Sequence, residues 1–215
     1  MPRGNRNGHR TRRNEFEKRK LRLGYYYIIT DTEETEKNYF DGLRRSIPQE
    51  LSGHIKINVE EGVKTKDLIQ VCLNESNTLP QYAERWIVLD RDEVPNFDSL
   101  IYDAGRKGIY VAWSNPCFEV WMDAYFENMH TFTSSAACTK HFGETYKKKI
   151  GHEYNKNEKE IYAQLIKYGD EEVAISRAKK KLAEHERNGI TNISEMCPGS
   201  SVFELVAEIK TKINS

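Results

Sequence analysis

The segment Trp86-Ile87-Val88-Leu89-Asp90-Arg91-Asp92-Glu93 is an apolar run that ends abruptly in alternating carboxylates. Read as a buried strand, it delivers acids to its own tip. Successive side chains of a strand point to opposite faces, so Asp90 and Asp92 share a face while Arg91 points away. Two carboxylates so placed can reach one hard cation such as Mg²⁺, which takes oxygen ligands. Two further acids belong to the same set: Asp31 follows the apolar run at residues 25–30, and Glu119 follows the run that ends at Ser114-Asn115. The plainer readings are a solvated turn for the tripeptide, and helix-terminus electrostatics for Asp31 and Glu119, since acids favour helix N-termini.

Strand-like runs at residues 25–30, 55–59, 86–89 and 109–113 alternate with helix-like segments at about 35–47, 66–74 and 97–107. This is the pattern of a mainly parallel sheet with helices on its faces. Alternating polarity within 55–59 predicts an edge strand. Thr65 and Asn96 stand where N-caps are needed, Gly108 marks a helix end, and Asn115 is placed to cap a helix that has Pro116 at its first position. In a parallel sheet Asp31 and Asp90 lie at the same carboxyl edge, where open α/β sheets place their ligands. They converge if the first and third strands are neighbours. From about residue 135 the strand signal disappears. Residues 170–188 read as a charged amphipathic helix, and 202–213 as a last helix with Val202, Leu205, Val206 and Ile209 on one stripe. The expected fold class is α/β, a four-stranded mainly parallel sheet flanked by helices. A basic arm at 1–23 precedes a core at 24–133, and a helical extension at 134–215 packs on that core.

The chain has 215 residues, and 33 Lys and Arg balance 33 Asp and Glu. That balance hides an asymmetry, because residues 1–23 carry nine Lys or Arg against Glu15 and Glu17. Such an arm lacks the apolar content to fold alone and could neutralise phosphates on a nucleic acid. A solubilising arm, or one that packs on the acidic body, is the alternative. Cys72, Cys117, Cys138 and Cys197 are widely spaced with no CxxC pair, which argues against a zinc site or a disulfide framework. No apolar run approaches the roughly 20 residues needed to cross a bilayer. The Arg-rich start lacks the apolar segment of a secretory signal. A cytoplasmic protein with no membrane partner is expected. His54, His130, His141 and His152 are too scattered to assign, and no Ser/His/Asp or Cys/His arrangement stands out. Phe118, Trp121, Tyr125 and Phe126 could stack bases, but their helical spacing reads as core.

Three segments carry a family resemblance: Ile29-Thr30-Asp31-Thr32-Glu33-Glu34-Thr35-Glu36-Lys37-Asn38-Tyr39-Phe40, then Leu89-Asp90-Arg91-Asp92-Glu93, then Ser114-Asn115-Pro116-Cys117-Phe118-Glu119-Val120-Trp121. With residues 154–165 (YNKNEKEIYAQL) and Pro198-Gly199-Ser200-Ser201-Val202, the chain resembles the RloB-like proteins. The resemblance implies a Toprim-like fold, whose first strand ends in a carboxylate and whose third ends in DxD. It also implies a role in bacterial phage defence. The related AbiL abortive-infection system pairs such a protein with an ABC-type or AAA-type ATPase. The chain departs from the family at the first motif, where Asp31-Thr32 stands in place of Glu-Gly, and Glu33, Glu34 and Glu36 are the acids that could compensate.

By that resemblance the expected activity is metal-dependent phosphodiester hydrolysis of DNA or RNA. Asp90 and Asp92, with Asp31, would hold Mg²⁺ or Mn²⁺ against a phosphate oxygen. Asp31 or Glu119 would act as general base or further ligand, and Arg91, Arg106, Lys107 and Asn115 are candidate phosphate or nucleic-acid contacts. The rival is a catalytically weakened module that binds metal, nucleic acid or a partner protein. A primase-like or phosphotransferase Toprim enzyme is a third class, but no Gly-rich phosphate loop is present.

Overall fold

The structure, a computed structural model, describes residues 24–30, 34–60, 63, 65–78, 84–92 and 94–213. Asp31 and the basic arm lie outside them. All five residues of β1 (Tyr26–Thr30) are buried. A strand with no polar face needs cover on both sides and a neighbour on each edge, as in the interior of a parallel sheet. β1 pairs in parallel with β2 (Ile55–Val59) and with β3 (Glu84–Asp90), and β3 pairs in parallel with β4 (Tyr110–Asn115). The first and third strands are therefore neighbours, and β2 lies at the edge as its alternation predicts.

The helices are α1 (Thr35–Ser46), the short α2 (Gln49–Ser52), α3 (Thr65–Thr78), α4 (Phe97–Arg106), α5 (Glu119–Asp123), α6 (Ser135–Ile150), α7 (Ile161–Tyr168), α8 (Glu171–Arg187) and α9 (Val202–Ile213). Strand alternation divides the apolar residues between two cores. Tyr27, Ile29, Ile87 and Leu89 pack with Leu68 and Ile69 of α3 and Phe97 and Leu100 of α4. Tyr26, Ile28, Trp86 and Val88 face the larger core, to which α1 and α5 to α9 contribute. Phe118, Trp121 and Tyr125 are fully enclosed in that core. Among the described residues no helix is long and apolar enough to cross a membrane, and all four cysteines are free.

Three sequence-based expectations need correction. The sheet has five strands: β5 (Gly199–Ser200) pairs antiparallel with the end of β4. Two residues are too few to carry an alternating pattern, and side chains do much of the joining. Ser201 Oγ accepts from Trp113 N at 3.0 Å and donates to Val111 O at 3.1 Å, while Ser200 Oγ donates to Trp113 O at 3.1 Å. Asn96 precedes α4 in a left-handed conformation and makes no side-chain cap. Asn115 caps no helix either, because β4 runs through it and α5 starts only at Glu119. Its amide donates to Ser194 O at 3.1 Å. By contrast, Asp170 caps α8 by accepting from Val173 N at 3.0 Å.

Candidate functional site

Parallel pairing puts the carboxyl ends of β1, β3 and β4 on one edge, and α1 and α5 each begin there. Their first turns therefore bring Glu36 and Glu119 towards the tip of β3, where Asp90 ends the strand. Glu36 is 7% and Glu119 2% exposed. Asp90 Oδ1 is buried and has no hydrogen-bond partner among the described residues. Burial above all, then the negative charges of Glu36 and Glu119, push the Asp90 carboxyl well above the usual carboxylate range. The Phe118 backbone N–H acts in the opposite direction. A buried carboxylate crowded by like charges holds a proton unless a cation takes its place.

The segment between α6 and α7 lies over this edge. Tyr154 Oη donates to Glu119 Oε1 at 3.2 Å and lies 2.9 Å from Thr35 Oγ1 in the first turn of α1. Burial first, then Glu119, keeps that phenol protonated by pushing it far above its ordinary value. Lys156 Nζ stands 3.7 Å from Glu119 Oε1. Burial pulls the Lys156 ammonium down, but the negative charges of Glu119 and Glu36 outweigh it, and the net direction is upward. The Cys117 thiol stays neutral, raised by its hydrogen bond with Cys138, by burial and by Glu119.

The remaining candidates are less uniformly placed. Strand geometry stops at Asp90, and Asp92 sits in a turn with φ 30°, so alternation does not govern where its side chain goes. Its N–H donates to Pro116 O at 3.0 Å, and its Oδ1 accepts from Ser135 Oγ at 2.7 Å. Asp92, Arg91, Asn115, Ser134, Ser135 and Ser194 line a cleft of about 290 Å³ beside the carboxylates. Arg106 and Lys107 close α4, which returns from the tip of β3 to the start of β4, so topology carries them to the opposite edge of the sheet. Lys156 was not among the sequence-based site residues, and Glu36 entered only as one of three acids that could compensate for Asp31-Thr32. The signal for Glu36 was local, an acid in the first turn of the helix that leaves the first strand. Lys156 lies in a long connection whose course over the site has no local signature.

A mostly parallel α/β sheet with buried carboxylates gathered at its carboxyl edge, faced by one lysine, defines the class of the molecule. The RloB-like protein family model matches residues 26–209, and the chain belongs to that family. Searches of curated proteins and of solved structures return no match.

Proposed function

We propose that the chain is a metal-dependent nuclease on a Toprim-like form of this fold, acting in phage defence with an ABC- or AAA-type ATPase. The observation that carries this reading is the buried Asp90 Oδ1, without a hydrogen-bond partner among the described residues and pressed by Glu36 and Glu119. These donors are all oxygens, which suits a hard dication, Mg²⁺ or Mn²⁺. Asp90 and Glu36 would hold it, with Asp92 and Asp31 as candidates to complete the set. Bound there, the ion would stabilise charge developing on a phosphate oxygen.

The protein's own groups supply the rest. Hydrolysis forms a bond from a water oxygen to phosphorus and breaks one phosphorus–oxygen ester bond. One proton leaves the water, and solvent water supplies one to the departing oxygen. Glu119, oriented by Tyr154, takes the first. Lys156, held protonated by the surrounding acids, faces the phosphate and offsets its negative charge. Arg91, which lines the cleft, is the candidate contact for the next phosphate.

A second reading is a weakened module that binds metal without cleaving. It is favoured by Lys156, which already acts as counter-charge to Glu119, and by Asp31-Thr32 in place of Glu-Gly. Titration calorimetry with Mg²⁺ and Mn²⁺, run beside cleavage of labelled single- and double-stranded DNA, total RNA and tRNA, separates the two. The nuclease reading expects metal-dependent products that vanish in Asp90→Asn. Metal binding with no products, even with the ATPase present, selects the module. No metal binding at all refutes both.

A further inference from the structure

Asp123 ends α5 one helical turn beyond Glu119. It is 0% exposed, and neither of its carboxylate oxygens has a hydrogen-bond partner among the described residues. Arg177 lies near enough to act on it through space, yet its Nη1 donates to Ala124 O at 2.7 Å. What Asp123 does face is histidine: its Oδ2 is 3.6 Å from His141 Nε2. The same nitrogen is 2.5 Å from Glu127 Oε1, which in turn is 3.5 Å from His130 Nε2. One donor atom from each of Glu127, His130 and His141 lies within 4.8 Å of the other two.

We propose that Glu127, His130 and His141 form a binding site for one transition-metal dication of the zinc type, with the buried Asp123 carboxylate beside His141 as its supporting charge, distinct from the carboxylates around Asp90. Two imidazoles joined by carboxylates suit a borderline ion such as Zn²⁺, whereas Mg²⁺ prefers oxygen alone. Tetrahedral zinc with bonds of about 2.0–2.1 Å separates its donor atoms by roughly 3.3 Å. Among the three ligands the observed separations of 2.5 and 3.5 Å bracket that value. A plain His141–Glu127 hydrogen bond would satisfy those two residues and leave both oxygens of Asp123 buried without a partner. The supporting contacts are also in place. Thr145 Oγ1 donates to Glu127 Oε1 at 3.4 Å, and the Phe132 ring lies 5.3 Å from that of His141. The His130 side chain is 51% exposed, which gives the ion and a water as fourth ligand a way in. Sequence reading set these histidines aside as scattered. The fold reunites them because α6 packs back on α5 and brings His141 to the end of that helix.

The test is Zn²⁺ titration of the metal-stripped full chain against a chromophoric chelator, with thermal melts alongside. One equivalent should bind and raise the melting temperature. His141→Ala and His130→Ala should each weaken binding at least about tenfold, since even the loss of a supporting contact around a metal ligand costs that much. Asp90→Asn should bind Zn²⁺ like the parent, which separates this site from the carboxylate set. His130→Ala, at a half-exposed position, keeps the test valid if His141→Ala does not fold. Absence of stoichiometric binding, parental affinity in both histidine variants, or loss of binding in Asp90→Asn would overturn the proposal.

Discussion

At Asp90, burial and the neighbouring charges of Glu36 and Glu119 act in the same direction, and both oppose the ionised form. The consequence for stability has a definite sign. Because the folded-state pKa is raised, the unfolded chain releases this proton first as pH rises, and stability falls between the unfolded and the folded pKa. Below pH ~4, where both states are protonated, there is no penalty. Without metal, Asp90→Asn should therefore be more stable than the parent at pH 8, by on the order of 1 kcal/mol, and equal to it near pH 4. Thermal melts in a chelator at the two pH values check this. The same substitution should lower cleavage by about 100-fold or more, the scale of losing one preorganised electrostatic contact. Lys156→Ala should reduce turnover by a similar factor while leaving Mn²⁺ binding intact, as measured by single-turnover kinetics and calorimetry. Of these residues Asp90 was legible from sequence, because an apolar run ending in an acid states its own geometry. Glu36 was legible only as one of three neighbouring acids and Lys156 not at all, since their role depends on which helix start and which connection the sheet edge gathers.

Helices α1 and α7 touch so closely that a Cβ at Gly42 would lie 2.5 Å from Tyr162 Cβ. Backbone and ring root cannot both stay in place, so α7 must shift. Gly42→Ala is expected to destabilise by about 1–3 kcal/mol, as overpacked cores do, seen as a lowered denaturation midpoint. Because α7 follows the segment that holds Tyr154 and Lys156, the variant should also lose activity beyond its loss of stability. A parental melting point would contradict this packing. Gly199 is similarly confined: its Cβ would meet Met196 O at 2.5 Å and the Trp113 ring at 3.1 Å. The elements themselves were largely readable, because the parallel strands are apolar runs bounded by Gly, Pro and polar residues. β5 escaped because a two-residue strand is defined by its partner rather than by its own pattern. The capping roles of Asn96 and Asn115 failed for a related reason: residue type marks where a cap is chemically possible, while tertiary contacts decide how the side chain is used.

Across the whole molecule, charge is divided between a basic arm at residues 1–23 and an edge of the sheet lined by buried acids. An acidic site that acts on a polyanion needs positive charge elsewhere to hold the substrate. Deleting residues 1–23 should weaken nucleic-acid binding and flatten its dependence on salt, because fewer counterions are released on binding. Unchanged affinity in a binding titration across salt concentrations would remove the arm from substrate capture. The central claim, that the acids around Asp90 hold a metal that drives phosphodiester cleavage, is tested most directly by one comparison. Cleavage of a labelled substrate would be followed as a function of Mn²⁺ concentration with parent and Asp90→Asn proteins, both checked to be folded and both supplied with the ATPase. The account predicts saturable Mn²⁺-dependent cleavage by the parent and about 100-fold less, or none, by the variant. Equal cleavage by the two proteins, or cleavage by the parent that persists in a chelator, would contradict it.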